Sequence, residues 1–336
     1  MLVDGGIGSD LARAAKAAKD QEDLGFDGLW AAETNHDPFL ALTLAAEHTE
    51  HIQLGTGIAV AFARSPMTLA TTAYNLNAFA EGRLLLGLGS QIRAHITRRF
   101  AMPWSHPAAR MREFIEAMHA IWDCWENGTK LDFRGEFYEH TLMTPFFDPG
   151  PNRYGAPKVF LAAVGELMTQ VAGEVADGML CHGFTTESYL REVTVPAITK
   201  GLDARGRTRR DIELSLPAFI VTGATEEAMA DAATGVRQQS AFYGSTPAYR
   251  GVLEHHGWGD LQTELNALSK QGKWVEMGER IDDDMLAAFA VVAEPGQVAA
   301  GLLARFGDVV DRLSFYAPYQ ADAGLFAATV ADLKSA

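Results

Sequence analysis

The chain has 336 residues, 48% of them hydrophobic and 21% charged, with a formal net charge of −15. That balance describes a globular protein able to bury a sizeable core, and its acidity argues against nucleic acid and anionic membrane as partners. Only two cysteines occur, Cys124 and Cys181, far apart and in no CxxC arrangement, so neither a disulfide framework nor a structural zinc site is expected.

Short apolar runs alternate with amphipathic stretches along the whole chain, the pattern of a parallel sheet with crossover helices. The start at Leu2-Val3-Asp4-Gly5 lacks the basic and apolar regions of a leader, and no apolar run is long enough to span a bilayer. A cytoplasmic protein is expected, and Leu2–Gly5 reads as the first strand. A helix follows over about Ser9–Leu24, with Ser9 as its N-cap and Gly25 just beyond its end. Strand two is Phe26–Ala32, with a helix over about Pro38–Thr49. Strand three is Ile52–Val60, with a helix over about Pro66–Ala80. Proline suits the first turn of both helices.

Strand four, Arg83–Leu88, runs into Gly87-Leu88-Gly89-Ser90. A long amphipathic helix is expected over Arg110–Trp125 and a hairpin over Leu131–His140. Strands five, six and seven are Val159–Ala163, Gly178–His182 and Ile212–Val221. Their helices cover about Glu166–Ala176, Glu187–Ala204 and Glu226–Gln239. Strand eight is Val310–Tyr316, closed by a helix over about Ala323–Lys334. Between helix seven and strand eight, Ala241–Gln297 is too long for an ordinary loop, and its apolar residues recur at helical spacing. It reads as a helical insertion, either a substrate lid or an outer docking surface. The expected fold is one α/β domain over 1–336, a (β/α)8 TIM barrel with a helical insertion at 241–297 before the last strand. A doubly wound open sheet is the alternative.

Barrel sites form at strand C-termini. Those positions carry Glu33, Thr34, Asn35 and His36; then Thr56, Gly57 and Ile58; then Gly89, Ser90 and Gln91; then Val164 and Gly165; then His182. No HxH follows strand one, no lysine ends a strand, and there is no GxSxG elbow or Cys/His cluster. The protein groups do not make a self-sufficient catalytic set, which favours a cofactor that carries the chemistry. Gly87-Leu88-Gly89-Ser90 either admits a flat ring to the backbone or is a tight turn. Val164-Gly165-Glu166 either offers helix N–H groups to a phosphate or is a plain turn.

In order and spacing, these segments resemble the luciferase-like flavin and deazaflavin oxidoreductases. The likeness rests on Gly25-Phe26-Asp27-Gly28-Leu29-Trp30 with Glu33, Asp37-Pro38-Phe39, Leu54-Gly55-Thr56-Gly57, Ser65-Pro66-Met67, Gly82-Arg83, Leu86-Gly87-Leu88-Gly89, Leu161-Ala162-Ala163 with Gly165, and Ala176-Asp177-Gly178. Arg64-Ser65-Pro66-Met67, Gly89-Ser90-Gln91 and Ala241-Phe242-Tyr243-Gly244-Ser245-Thr246-Pro247 resemble the actinobacterial branch that uses the deazaflavin coenzyme F420. The resemblance implies a tricyclic ring across the barrel mouth and a non-prolyl cis peptide at Gly57–Ile58 behind it.

It further implies that Thr56, Gly57, Ile58, Gly89, Ser90, Gln91, His95, Val164 and Gly165 bind the cofactor. The sugar-phosphate dehydrogenases of the family place a His directly after the acidic residue of strand two and a Glu after the strand-four turn. This chain has Glu33-Thr34 and Ile92 there, so their acid/base pair does not transfer.

Each candidate keeps a plainer reading. His36 is either a proton shuttle or a loop histidine, and Glu33 either a proton acceptor or a structural carboxylate. His182 and Trp258 are expected to touch substrate, although an aromatic stripe at helical spacing is also ordinary core. Arg98, Arg99, Lys200, Arg205, Arg207, Arg209 and Arg210 either hold the anionic deazaflavin tail or are solvated. The expected activity is hydride transfer between F420 and a small organic substrate. An FMN-dependent luciferase-like monooxygenase and a non-catalytic flavin-binding barrel are the alternatives. No metal is expected, and a homodimer is the expected assembly.

Overall fold

The computed structural model describes residues 1–8, 10–321 and 323–335. Eight parallel strands form the barrel: β1 (Leu2–Ile7), β2 (Gly28–Ala31), β3 (Gln53–Thr56), β4 (Leu84–Gly89), β5 (Lys158–Ala162), β6 (Gly178–Leu180), β7 (Glu213–Val221) and β8 (Arg312–Tyr316). Each pairs with its sequence neighbours, and β8 returns to β1 with Leu2 opposite Arg312, so the sheet closes. Closure removes the two edges that an open doubly wound sheet would leave.

The outer helices are α1 (Leu11–Asp23), α2 (Pro38–His48), α3 (Pro66–Phe79), α4 (Pro107–Asn127), α5 (Glu166–Val175), α6 (Val195–Asp203) and α7 (Glu226–Gly244). Local chemistry sets their starts. Asp37 accepts the Phe39 N–H at 2.8 Å and Ser65 the Thr68 N–H at 3.1 Å, each just ahead of a first-turn proline. Asp10 caps α1; the expected cap, Ser9, lies outside the described residues. Arg83, next to Gly82, donates to the carbonyls of Ala46, Thr49 and Ile52, tying β4 to the end of α2.

Four expectations need correction. Strand three is not continuous: β3 stops at Thr56, and Ala59–Val60 resumes beside the end of β4, with Gly57–Ile58 between them in cis. Helix six does not run unbroken from Glu187 to Ala204. A π-turn at Leu190–Thr194 precedes α6, where Pro196 has no N–H to continue the α ladder. Helix seven continues to Gly244, because Ser240, Ala241 and Gly244 extend its buried face, so the excursion starts later than Ala241.

The excursion is also not purely helical. It contains α8 (Arg250–His255), α9 (Gly259–Lys270), α10 (Trp274–Gly278) and α11 (Asp283–Phe289), then a short strand, Ala290–Val292, along the end of β7. A three-residue apolar run cannot be told from a helical segment by periodicity. Helices α12 (Val298–Phe306) and α13 (Ala323–Ser335) complete the chain, α12 being absent from the sequence reading.

The main core joins the strands to the helix ring, and a second apolar cluster, including Phe184, Phe219, Val236, Leu253 and Phe289, seats the excursion on α7 and β7. Among the described residues, no helix is long and apolar enough to cross a membrane.

Candidate active site

The carboxyl ends of the barrel strands line a cavity of about 1240 Å³. Its polar floor is fully buried. Arg312 of β8 donates to Asp4 of β1 through Nε (2.8 Å) and Nη2 (2.7 Å), and Trp30 of β2 donates to the same carboxylate at 2.9 Å. Gln53 and Glu213 accept from the other guanidinium nitrogen. Gly28 makes room for this pair, since a Cβ there would lie 2.5 Å from the Asp4 carboxylate. Above the floor the walls are apolar or neutral, and Asp4, Arg93 and Glu166 are the charged residues among those lining the space.

Most of the expected cofactor residues converge on this cavity. Gly57, Ile58, Gly89, Ser90, Gln91, Val164 and Gly165 all line it. Gly165 sits at φ +80° at the head of α5 with open space where a Cβ would be, and no side chain caps that helix. The first N–H groups of α5 therefore lack a side-chain acceptor, and residues of that first turn line the cavity, an arrangement that suits an anion. Thr56 lies beneath the surface, fully buried, donating to the Gly87 carbonyl at 2.7 Å. His95 is exposed at the start of a π-turn, outside the lining.

The two expected catalytic residues are elsewhere. His36 is exposed on the loop before α2 and does not line the cavity. Glu33 is engaged as a brace. Its carboxylate accepts the Val60 N–H at 2.7 Å and Arg64 Nη1 at 2.6 Å, while its own N–H donates to the Ile58 carbonyl. It holds the backbone behind the Gly57–Ile58 peptide. Trp258, expected at the substrate, stacks on His256 at 4.4 Å and packs near Phe289 in the second cluster. His256 in turn bonds the Thr186 hydroxyl at 2.8 Å, so these aromatics fasten the excursion to the segment after β6.

His182 does line the cavity, within an aromatic cluster that sequence reasoning did not assemble. Its ring stacks on Tyr249 (4.4 Å) and meets Tyr243 edge-on (4.6 Å). Tyr243 and Tyr316 share a hydrogen bond of 2.5 Å between hydroxyls. Burial lowers the His182 pKa to about 4, and Nδ1 accepts the Phe184 N–H at 3.0 Å. The neutral ring therefore carries its proton on Nε2. Burial pushes Tyr249 up to about 12, with Tyr243 adding to the effect, and Tyr316 is raised by burial and by Tyr243. One signal for Tyr316 existed: it ends the last barrel strand.

The basic residues are mostly spoken for. Arg205 pairs with Glu116, Lys200 with Glu166 and Arg209 with Asp311, while Arg207 serves carbonyls of Gly173, Ala176 and Asp211. Arg99 donates to the Thr34 carbonyl. Among the described residues, Arg93, Arg98 and Arg210 form no ion pair.

With this geometry in view, a family model described as luciferase-like monooxygenase matches residues 2–312. The chain belongs to the luciferase-like monooxygenase family. It is thus an oxidoreductase, built on the barrel that this family shares. A relative from Mycobacterium tuberculosis, an uncharacterized protein, is 57% identical over 313 residues, covering 93% of this chain and 92% of that one. The 5,10-methylenetetrahydromethanopterin reductase of Archaeoglobus fulgidus is 27% identical over 286 residues, covering 82% and 81%. Among solved structures, the coenzyme F420-dependent tetrahydromethanopterin reductase from Methanopyrus kandleri superposes with a TM-score of 0.76 at 22% identity, covering 93% and 92%.

Proposed function

We propose that this luciferase-like protein transfers a hydride between the deazaflavin coenzyme F420 and a small organic substrate. The observation that carries the reading is the cavity itself, whose volume of about 1240 Å³ exceeds what one small metabolite fills. It has room for a tricyclic ring and a second molecule beside it. Gly57, Ile58 and Gly89 would support the ring, and the uncapped head of α5 at Gly165 would receive the phosphate of its side chain. Arg93 and Arg98, without ion-pair partners among the described residues, would meet the anionic tail. Relatives named for F420-dependent or methanopterin-linked reduction support the same cofactor.

When bound, the deazaflavin supplies two-electron hydride chemistry, having carbon in place of the central-ring nitrogen that gives flavin its one-electron and oxygen chemistry. The protein's part is orientation and exclusion of water. Trp30, Ile58, Trp104, Leu180 and Phe315 keep the space apolar, while His182 offers a neutral donor at one side. Glu33, braced by Arg64, keeps the ring-bearing backbone fixed rather than exchanging a proton.

The test is a titration of purified protein with F420 and, separately, with FMN, followed by ring fluorescence. Saturable quenching of F420 with much weaker FMN binding is expected. Tight FMN binding, yielding a yellow protein that ignores F420, overturns the deazaflavin reading in favour of a flavin monooxygenase. Binding of neither overturns the redox reading altogether.

A further inference from the structure

The cavity is chemically lopsided. On the side of β6 to β8 it presents His182, Tyr243, Tyr249, Phe315 and Tyr316, and no Asp, Glu, Lys or Arg. Arg93, which lines the cavity and has no ion-pair partner among the described residues, follows β4, two strands from β6 and four from β8 in a closed ring of eight. The Asp4–Arg312 pair on the floor is already neutralised.

We infer that the corner formed by His182, Tyr243 and Tyr316 receives the oxygen of an uncharged carbonyl compound, so the substrate is a neutral molecule rather than a phosphate or carboxylate. This rests on the reading of the cavity as a redox site. The donor count carries the argument. Nδ1 of His182 is occupied by the Phe184 N–H, which leaves Nε2–H as a donor with no protein acceptor among the described residues. The two tyrosine hydroxyls hold two protons, and their mutual bond uses one. The second O–H remains to be donated.

Two neutral donors on rings that pack together and line the same cavity match the two lone pairs of one carbonyl oxygen. Burial keeps the Tyr249 and Tyr316 phenols protonated across the physiological range, so the corner does not become an anion that would repel oxygen. An anionic substrate group placed there would give up its hydration with no cation to replace it.

The experiment uses the whole protein without added cofactor and three probes of one skeleton: acetophenone, benzoate and ethylbenzene. Ligand-observed NMR gives affinities, and the infrared carbonyl stretch of bound acetophenone reports hydrogen bonding directly. Acetophenone is expected to bind saturably, with benzoate at least about tenfold weaker and the carbonyl stretch moved to lower frequency. The double variant Tyr243→Phe/Tyr316→Phe removes both hydroxyls together, leaving no orphaned partner. It should weaken acetophenone about three- to tenfold, change ethylbenzene by less than about twofold and reverse part of the infrared shift.

The inference is overturned if benzoate binds as tightly as acetophenone, if acetophenone shows no saturable binding, or if the stretch is unshifted. Should the double variant fail to fold, the wild-type affinity ratio and infrared shift decide alone. Loss of F420 binding with this selectivity intact overturns only the cofactor assignment; F420 binding without the selectivity overturns only this inference.

Discussion

Replacing His182 with phenylalanine tests the electrostatics of the site most directly. The ring is enclosed by Tyr243 and Tyr249, and burial holds its pKa near 4, against about 6.5 for an ordinary imidazole. As pH falls, the unfolded chain takes up this proton before the folded protein does. Stability is therefore retained above about pH 6.5, declines from there to about 4, and is fully lost for this group below that. At about 1.4 kcal/mol for each tenfold, the interval amounts to about 3 kcal/mol.

His182→Phe keeps an aromatic face against Tyr249 and removes the titration. It also orphans the Phe184 N–H, an offset of about 1–3 kcal/mol that does not vary with pH. Urea unfolding of both proteins at a series of pH values from about 7.5 to 3.5 separates offset from slope. The wild type should lose about 3 kcal/mol relative to the variant as pH falls. A difference constant to within about 1 kcal/mol across that range refutes the buried, neutral assignment.

Three further outcomes follow from other parts of the molecule. Burial alone would raise the Glu22 carboxyl, yet the N–H groups of His51, Ile52 and Glu50, with Lys19, together hold it at about 2. Its stabilisation is complete above about pH 4.5 and vanishes toward 2, so Glu22→Gln should cost about 2–3 kcal/mol at neutral pH in urea unfolding, with the gap closing in acid. On the cavity floor, Asp4→Leu or Arg312→Met alone should destabilise by about 3–5 kcal/mol, each leaving a buried charge behind. The double variant should be no worse than either single one, whereas additive losses would contradict a coupled pair. Gly165→Val forces a β-branched residue to φ +80°, so it should lower thermal stability through backbone strain and, in the folded variant, weaken F420 binding at least about tenfold; unchanged affinity removes the head of α5 from the binding site.

The barrel was readable from the chain because hydrophobic periodicity is a local property. Eight apolar runs, each followed by an amphipathic stretch, dictate parallel strands with helices outside, and proline and capping residues mark where α2 and α3 start. The glycines that line the cavity were legible for a related reason: in this fold the carboxyl ends of the strands surround the mouth.

What only the tertiary structure decided involves partners distant in the chain. Arg312, which a sequence rule puts at the surface, is fully buried because Asp4 meets it across 308 positions when β8 closes on β1. Glu33 became a brace because Val60 and Arg64 arrive beside it, and Trp258 became packing because His256 and Phe289 do. The Tyr243–Tyr316 bond joins residues 73 apart, and Tyr249 reaches His182 from an excursion whose direction no periodicity encodes. Periodicity tells a segment which face to bury; the folded chain alone determines which groups then share that space.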